Sequence, residues 1–166
     1  MPLRDVASRW MRSICAALAI GVAESQAARA DCVATGPFTV TCTGTTVNYQ
    51  PGTITGITIN ILSSASVVGG PGGTEAIFTT SSTGSTVNNF GTINGPVSFG
   101  GAFNTFTNAG LMEITDPAAP LLGHSITGDF FQTSSGTLSL RFDASSFFDQ
   151  LFIFAGNATL AGRLIL

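Results

Sequence analysis

The sequence predicts an all-β fold: a right-handed parallel β-solenoid with short coils, preceded by an N-terminal signal helix that is removed. Three observations support this prediction. Apolar and polar residues alternate in short runs, a turn-containing motif recurs at a nearly regular spacing, and the first thirty residues differ in composition from all that follow. Residues 31–166 are then long enough for one domain with a modest core.

The N-terminal segment has the charge distribution of a secretory signal. An uncharged apolar run of ten residues at 14–23 follows a short basic region that contains Arg4, Arg9 and Arg12. Ten apolar residues are too few to span a hydrocarbon core of about 30 Å, so the run does not predict a transmembrane helix. The alternative interpretation is an amphipathic N-terminal helix.

A cleavage site follows this apolar run. Ala28 and Ala30 place small side chains two positions apart, which is the pattern that signal peptidase accepts. We therefore expect residues 1–30 to be removed and the mature chain to begin at Asp31. Such a chain is exported to the cell surface, the outer membrane or the medium, or to the periplasm if it is truncated.

The charge of residues 31–166 limits the partners. Arg141 and Arg163 are the only Arg or Lys residues in this part, against seven Asp and Glu residues, and the whole chain contains no Lys. Phosphate backbones are bound by clusters of Lys and Arg. The sequence therefore predicts no nucleic-acid partner.

Two cysteines remain after residue 30, Cys32 and Cys42, and they predict a disulfide. An even pair in an oxidising compartment most often closes a short loop. Gly36 and Pro37 mark a turn between them, so we expect the bond to hold a hairpin-like cap, assigned to residues 31–46. A metal site is the alternative, but no histidine lies nearby in the sequence.

Strand signals recur along the mature part. Runs at 38–42, 57–61 and 138–142 alternate apolar with polar residues, so each would present one face to a core and the other to solvent. Gly and Asn separate such runs at short intervals, which argues against long helices. This part of the chain is therefore predicted to be all-β.

An internal repeat narrows the architecture to a solenoid. Residues 86–93 align with residues 105–112 at an offset of 19, and the matched turn residues are Asn89, Gly91, Asn108 and Gly110. One strand and one Asn-x-Gly turn per copy indicate coils that each bury an apolar face against their neighbours. Asn tolerates the turn conformation, and its amide can bond the equivalent amide one coil away, about 4.8 Å distant.

A third and weaker copy of the repeat occupies residues 134–138, 26 positions after the second. We expect its seven extra residues to form a loop around 116–120, where two prolines lie. Residues 86–166 thus carry the best repeat evidence. The alternative is an antiparallel β-sandwich in which two Asn-x-Gly turns agree by chance.

The last thirty residues carry the most specific pattern, D-x-L-x-I-x-x-G-x-A-x-L-x-G-x-L over residues 149–164. Together with residues 39–46 and the Asn-x-Gly copies, this pattern resembles passenger domains of type V autotransporters just before their translocator barrel. The resemblance implies a β-solenoid displayed at the cell surface, with an outer-membrane translocator barrel as its partner. That barrel is missing from this chain, which would then be a truncated gene product, a fragment or an N-terminal piece.

The resemblance also assigns roles within the final segment. Gly156 and Gly162 would form corners, and Ala158 would fit a tight bend. The coil interior would be filled by Leu151, Ile153, Leu160, Leu164 and Leu166.

Aromatic residues in this segment depart from the family pattern. Phe152 and Phe154 would point outward and, with residues 147–148, leave an apolar patch for a missing coil or a partner to cover. We therefore expect self-association through the C-terminal edge.

No catalytic constellation emerges from the sequence. His124 is the only histidine and is expected in a loop after Gly123, and no G-x-S-x-G elbow occurs. Asp143 and Asp149 beside Arg141 come nearest to the carboxylate cluster of a solenoid enzyme, but we expect a solvated turn there.

Cofactor and metal motifs are missing as well. The glycine-rich segment 69–73 lacks the Lys-Ser/Thr of a phosphate loop and is expected to be a flexible turn. No two unpaired His or Cys residues are spaced as metal ligands.

The sequence thus favours a non-catalytic, exported structural or adhesion module without a cofactor, part of an autotransporter-like passenger that contacts host or cell-surface ligands. One alternative is a fragment of a glycan-active β-solenoid enzyme, which an acidic cluster on one outer face would indicate. The other is a small secreted sandwich resembling a pilin or lectin, which antiparallel strand pairing would indicate.

Overall fold

The computed structural model describes residues 31–52, 55–116, 123–143 and 147–166. The expected signal segment, including Ala28 and Ala30, lies outside these residues. The described residues contain strands and no helix, in the order β1 (Cys32–Gly36), β2 (Thr39–Cys42), β3 (Thr45–Val47), β4 (Thr58–Ile61), β5 (Ser66–Val68), β6 (Ile77–Thr83), β7 (Thr86–Asn89), β8 (Thr92–Asn94), β9 (Val97–Asn108), β10 (Leu111–Glu113), β11 (His124–Gln132), β12 (Thr137–Ser139), β13 (Phe142–Asp143), β14 (Phe147–Phe148), β15 (Leu151–Phe154), β16 (Ala158–Thr159) and β17 (Arg163–Ile165).

The strands stack as a parallel β-solenoid, which confirms the predicted fold. A larger sheet of nine strands has the order β1-β2-β4-β7-β9-β11-β15, with β6 paired to β9 and β16 paired to β11. A smaller sheet of six strands has the order β17-β12-β10-β8-β5-β3. Each circuit of the chain lays a strand beside its equivalent in the previous circuit, and these pairings are parallel. The parallel pairing excludes the antiparallel sandwich.

The core is formed by the inward-pointing side chains, which alternate with outward-pointing ones along strands that are aligned in register. Because parallel neighbours pair equivalent positions, the inward residues of successive strands form continuous apolar columns. The column on the larger sheet is buried and comprises Val40, Ile59, Val87, Phe106 and Phe130. The column on the smaller sheet is also buried and comprises Val67, Ile93, Met112 and Leu138.

The two longest strands, β9 and β11, each run through two parts of the larger sheet. Their mutual register shifts between Ile126 and Gly128, and the β6–β9 register shifts between Thr79 and Ser82. Gly128 and Phe103 have positive φ values of 130° and 55° near these shifts. Such irregularities bend a strand and increase its twist, so they mark the place where the larger sheet changes direction.

The N-terminal cap is an antiparallel hairpin of β1 and β2. Cys32 pairs with Cys42 in its register, and the two residues form a disulfide, as predicted. The turn contains Pro37 and Phe38. The cap is narrower than the predicted range 31–46, because β2 and β3 already belong to the stacked sheets and only β1 runs against them.

The C-terminal segment corrects several sequence assignments. Leu151 and Ile153 are half-buried and pack against the core, but Leu160, Leu164 and Leu166 are exposed. Leu164 does pair with the core residue Leu138, so it occupies an inward register position. It is exposed because no described strand lies on the other side of β17. Ala158 lies in strand β16, paired with Phe130, instead of in a bend.

The repeat spacing also differs in detail from the prediction. The third copy is in register, since Leu111 pairs with Thr137, 26 positions later. The inserted residues, however, are not all near 116–120, because the turn after Gln132 is longer than the turn after Asn108. The alternating run 138–142 forms strand only at its two ends, in β12 and β13.

Candidate functional site

A ladder of buried amides follows one corner of the solenoid, where the chain passes from the larger sheet to the smaller. Asn89 and Asn108 are fully buried, and Nδ2 of Asn89 donates to Oδ1 of Asn108 over 2.8 Å. Nδ2 of Asn108 reaches Oε1 of Gln132 over 3.4 Å, a longer and weaker contact. The residues predicted to repeat at the turn therefore do lie on neighbouring coils, and Gln132 extends them by one step.

Each ladder amide also joins the two sheets across the corner. The donors Asn89, Asn108 and Gln132 bond in turn to the backbone carbonyls of Leu111, Thr137 and Arg163. These three acceptors are register neighbours in the smaller sheet. Because the amides satisfy one another and the corner carbonyls, burying them does not leave unpaired polar groups.

Glycines line the same corner because the coils approach too closely for a side chain. A Cβ atom at Gly110 would overlap the carbonyl oxygen of Gly91, and one at Gly162 would overlap that of Gly136. The same oxygens also accept backbone hydrogen bonds from the next coil, as in Leu111 N to Gly91 O over 2.8 Å. Gly91 and Gly110 are thus stacked as the repeat suggested, and Gly156 and Gly162 both lie at corners.

A second buried polar column lies at another corner of the coil and was not evident from the sequence. Oδ1 of Asn104 accepts from Ser85 N over 3.0 Å, and its Nδ2 donates to the carbonyls of Gly100 and Thr127. Oγ of Ser85 in turn accepts from Ile57 N over 3.2 Å. Ser85 and Asn104 are 19 positions apart, as in the repeat, but they are different residue types, so a comparison of like residues did not reveal their alignment.

Arg141 and Asp149 form an ion pair, which corrects the expectation of a solvated turn. The Arg141 guanidinium donates to both carboxylate oxygens of Asp149 over 2.9 Å, and the Asp149 side chain is fully buried. The backbone N of Arg141 also donates to Asp149 Oδ2, and Nη1 donates to the carbonyl of Asp116. The hydrogen bond to Asp149 is the main reason that the pKa of Arg141 lies above its usual value. Both oxygens of Asp149 therefore bind Arg141, so the pair joins the chain segments that precede β13 and follow β14.

His124 is the largest departure from the sequence expectation. It is not in a loop: it begins β11, is fully buried and has no hydrogen-bond partner for either ring nitrogen among the described residues. Burial lowers the pKa of His124 from 6.5 to about 4, and the nearby charge of Asp149 opposes this shift only in part. The imidazole is therefore neutral at neutral pH, and its burial makes it inaccessible to solvent and weakens it as a base.

The outer surface of the larger sheet carries short polar side chains in register. Its first outward column contains Thr39, Thr58, Thr86 and Thr105, followed by Asp129. Asn88 lies beside this column and donates to Asn60 over 2.9 Å. No acidic cluster of the kind expected for a glycan-cleaving solenoid occurs in these columns.

Exposed aromatic residues concentrate towards the C-terminal end of the described chain. The rings of Phe152 and Phe154 stack on the outer surface with centroids 6.1 Å apart, as expected for outward-pointing residues. Phe142 and Phe148 stack similarly at 6.4 Å between β13 and β14. Several large apolar groups thus face solvent on this part of the surface.

The glycine-rich turn at 69–73 borders a shallow cleft of about 160 Å³. Its polar lining includes Asn94, Thr115 and Asp116, and Oδ1 of Asn94 already accepts bonds from Thr115 N and Oγ1. The lining contains no basic side chain, so the cleft does not fit a phosphate. Among the described residues, no three His, Cys, Asp or Glu side chains are grouped as metal ligands.

Within the part of the chain that the structure describes, no helix has the length and apolar character needed to cross a membrane. Comparisons of this chain with protein-family models, with curated proteins and with solved structures gave no match.

Proposed function

We propose that this chain is a non-catalytic structural module: an exported, passenger-like solenoid that spaces or displays other segments at a cell surface. The observation that carries this proposal is the amide ladder of Asn89, Asn108 and Gln132. Buried polar groups that bond only to one another and to the backbone serve to fix the stacking of coils. They leave no reactive group free for chemistry.

The disulfide supports export. Cys32 and Cys42 are bonded, and disulfides persist in oxidising compartments such as the periplasm and the cell exterior. The polar outer columns support a surface role. A stack of coils forms a rigid rod, and its short polar outer side chains leave its sides open to contact by other molecules. An outer-membrane translocator barrel is the partner that this proposal requires.

The Arg141–Asp149 pair gives no support to the alternative of a glycan-active enzyme. A carboxylate that acts as general acid or base must reach the glycosidic bond. The buried carboxylate of Asp149 instead binds Arg141 with both oxygens.

Export can be tested by producing the full chain in a Gram-negative host. We expect a mature form that begins at Asp31, in the periplasmic fraction, with no free thiol on alkylation. The matched control lacks residues 2–30 and should remain cytoplasmic with both cysteines reduced. An uncleaved, reduced full chain in the cytoplasm would refute the export part of the proposal.

Surface display needs a second experiment, in which the full chain is fused ahead of a translocator barrel. Intact cells should then lose the solenoid when an external protease is added, whereas a periplasmic marker should survive. Binding of the purified chain to glycan arrays or host cells, compared with hydrolysis of the same glycans, separates adhesion from enzymatic activity. Hydrolysis of any of these glycans by the purified chain would contradict a non-catalytic role.

A further inference from the structure

The unpartnered His124 has a specific position within the stack. On one side it pairs with Leu151 of β15, and its backbone N donates to Gln150 O over 2.7 Å. On the other side it lies beside Val97, because the next residue, Ser125, pairs with Ser98. A buried polar group without partners is rare in folded proteins, since it loses its bonds to water and gains none in return.

The surroundings of His124 offer no counter-charge within bonding distance. Strands β6, β9, β12, β15 and β16 carry no titratable side chain. On the remaining neighbouring elements, Glu113 of β10 and Arg163 of β17 are partly or fully exposed, and Asp129 of β11 bonds to Asn157. Asp149 acts on the ring through its charge, but its oxygens bind Arg141. A protonated imidazole would therefore be buried without a partner.

The cover over His124 is thin on one side. We use the name C-terminal clasp for residues 147–154, which include β14, Asp149 and β15. Within the clasp, Leu151 and Ile153 are only half-buried, and Phe152 and Phe154 are exposed. Lifting the clasp would bring water to His124 without breaking the Asn89–Asn108 bond or the pairing of β9 with β11. Opening at this edge therefore requires less free energy than unfolding the whole stack of coils.

We propose that His124 makes the C-terminal clasp acid-releasable: when the imidazole takes up a proton, the clasp detaches from β11 while the coils from β4 to β10 stay folded. The direction follows from proton binding in the two states. In the closed state burial holds the pKa at about 4, whereas in the open state the ring has its ordinary value of 6.5. The open state therefore binds more protons below pH 6.5, and the closed state loses stability as the pH falls from 6.5 towards 4. The opening constant should rise on the order of 100-fold across this interval.

The single histidine makes the test unambiguous, because a histidine-selective NMR spectrum of the full chain contains one imidazole. We expect one signal from a buried neutral ring at pH 7.5. Between pH 6.5 and about 4 a second signal, from a hydrated and protonated ring, should grow at its expense. A single signal that moves smoothly with a midpoint near 6.5 would show an accessible ring and overturn the proposal.

Hydrogen exchange read by mass spectrometry locates the opening. After correction for the intrinsic pH dependence, exchange in residues 147–154 should accelerate in acid while residues 86–113 stay protected. His124→Leu should abolish most of this acceleration, because a leucine fits the apolar column and cannot be charged. Ile126→Val, two positions along the same inward side, is the matched control and should keep the full acid response. Equal acid responses in His124→Leu and the control, or uniform acceleration along the chain, would contradict the proposal, and the NMR measurement decides it if His124→Leu does not fold.

Discussion

Asn89 and Asn108 lie one above the other in adjacent coils, and Nδ2 of the first donates to Oδ1 of the second over 2.8 Å. Their sequence separation of 19 equals the length of one circuit of the chain at this point. The sequence repeat thus corresponds directly to the hydrogen bond, because residues one repeat apart lie one coil apart.

The ladder should be essential for stability. Asn108→Leu removes the acceptor of Asn89 and the donor of the Thr137 carbonyl, so it should lower the free energy of unfolding by about 2 kcal/mol or more. Asn88→Leu is the matched control, since this neighbouring asparagine bonds to Asn60 on the outer surface and should change stability by less than about 1 kcal/mol. Urea unfolding followed by circular dichroism measures both variants. Equal losses would mean that the buried ladder contributes no more than a surface bond.

A methyl group at Gly110 should push two neighbouring coils apart. Gly110→Ala places Cβ against the carbonyl oxygen of Gly91, so we expect a loss of at least about 2 kcal/mol. At Gly36 the nearest atom to a new Cβ is Thr39 Cβ at 3.5 Å, an ordinary contact, and Gly36→Ala should be tolerated. Thermal unfolding of the two variants provides the comparison. A Gly110→Ala protein with unchanged melting temperature would show that the coils can move apart freely.

The disulfide should stabilise the N-terminal hairpin. Closing a loop of ten residues contributes about 2–3 kcal/mol in the chain-entropy model. Reduction, or replacement of both cysteines by Ala, should therefore increase hydrogen exchange in residues 32–42 while the middle coils change less. Reduced wild-type protein and the double variant should agree. Unchanged exchange at residues 32–42 in both samples would argue that strand pairing alone holds the hairpin.

Removing the charge of the buried Asp149 should lower the free energy of unfolding more than removing the charge of the more exposed Asp129. Asp149→Asn leaves the Arg141 guanidinium without its anionic partner, and we expect a loss of about 1–3 kcal/mol. Asp129→Asn is the control, because Asp129 is more exposed and can keep its bond to Asn157 N. Chemical denaturation at neutral pH and low salt tests the difference. The idea fails if the two substitutions have the same effect.

The C-terminal edge should promote self-association when residues 31–166 are produced alone. Size-exclusion chromatography should show larger species as concentration rises, because Leu164 and Leu166 expose apolar surface beside unpaired backbone groups. Phe152→Asp should reduce this association, since its ring is 44% exposed. Ile153→Asp should instead detach the C-terminal clasp, because this residue packs against the core and a carboxylate there has no partner. A cooperatively folded monomer of unmodified 31–166 at high concentration would contradict the first expectation.

Local patterns predicted the fold because a solenoid repeats short-range rules. Alternation identified the inward residues of β2 and β4, and equal spacing identified Asn89 and Asn108. Among the residues that were missed, Gln132 depends on unequal spacing. Gln132 follows Asn108 by 24 residues, so its place in the ladder could not be recognised from a repeat of 19.

The interior position of His124 was missed for a related reason. A polar residue after Gly123 indicates a loop by local criteria, and only its pairing with Leu151 places it among apolar neighbours. The same applies to Asp149, which looked solvated because its partner Arg141 lies across a hairpin whose geometry the sequence does not specify. Polar groups inside a core are determined by long-range contacts, and single-sequence patterns report mainly local ones.

The 19-residue circuit between Asn89 and Asn108 makes the length of this protein adjustable without redesign. A tandem duplication of residues 86–104 would insert one complete circuit, with its own asparagine, corner glycine and inward apolar residues, between partners that already match. Every such event would lengthen the rod by about 4.8 Å and leave its cross-section unchanged. Gene duplication in units of 19 codons would therefore change the length of the solenoid in steps of one coil.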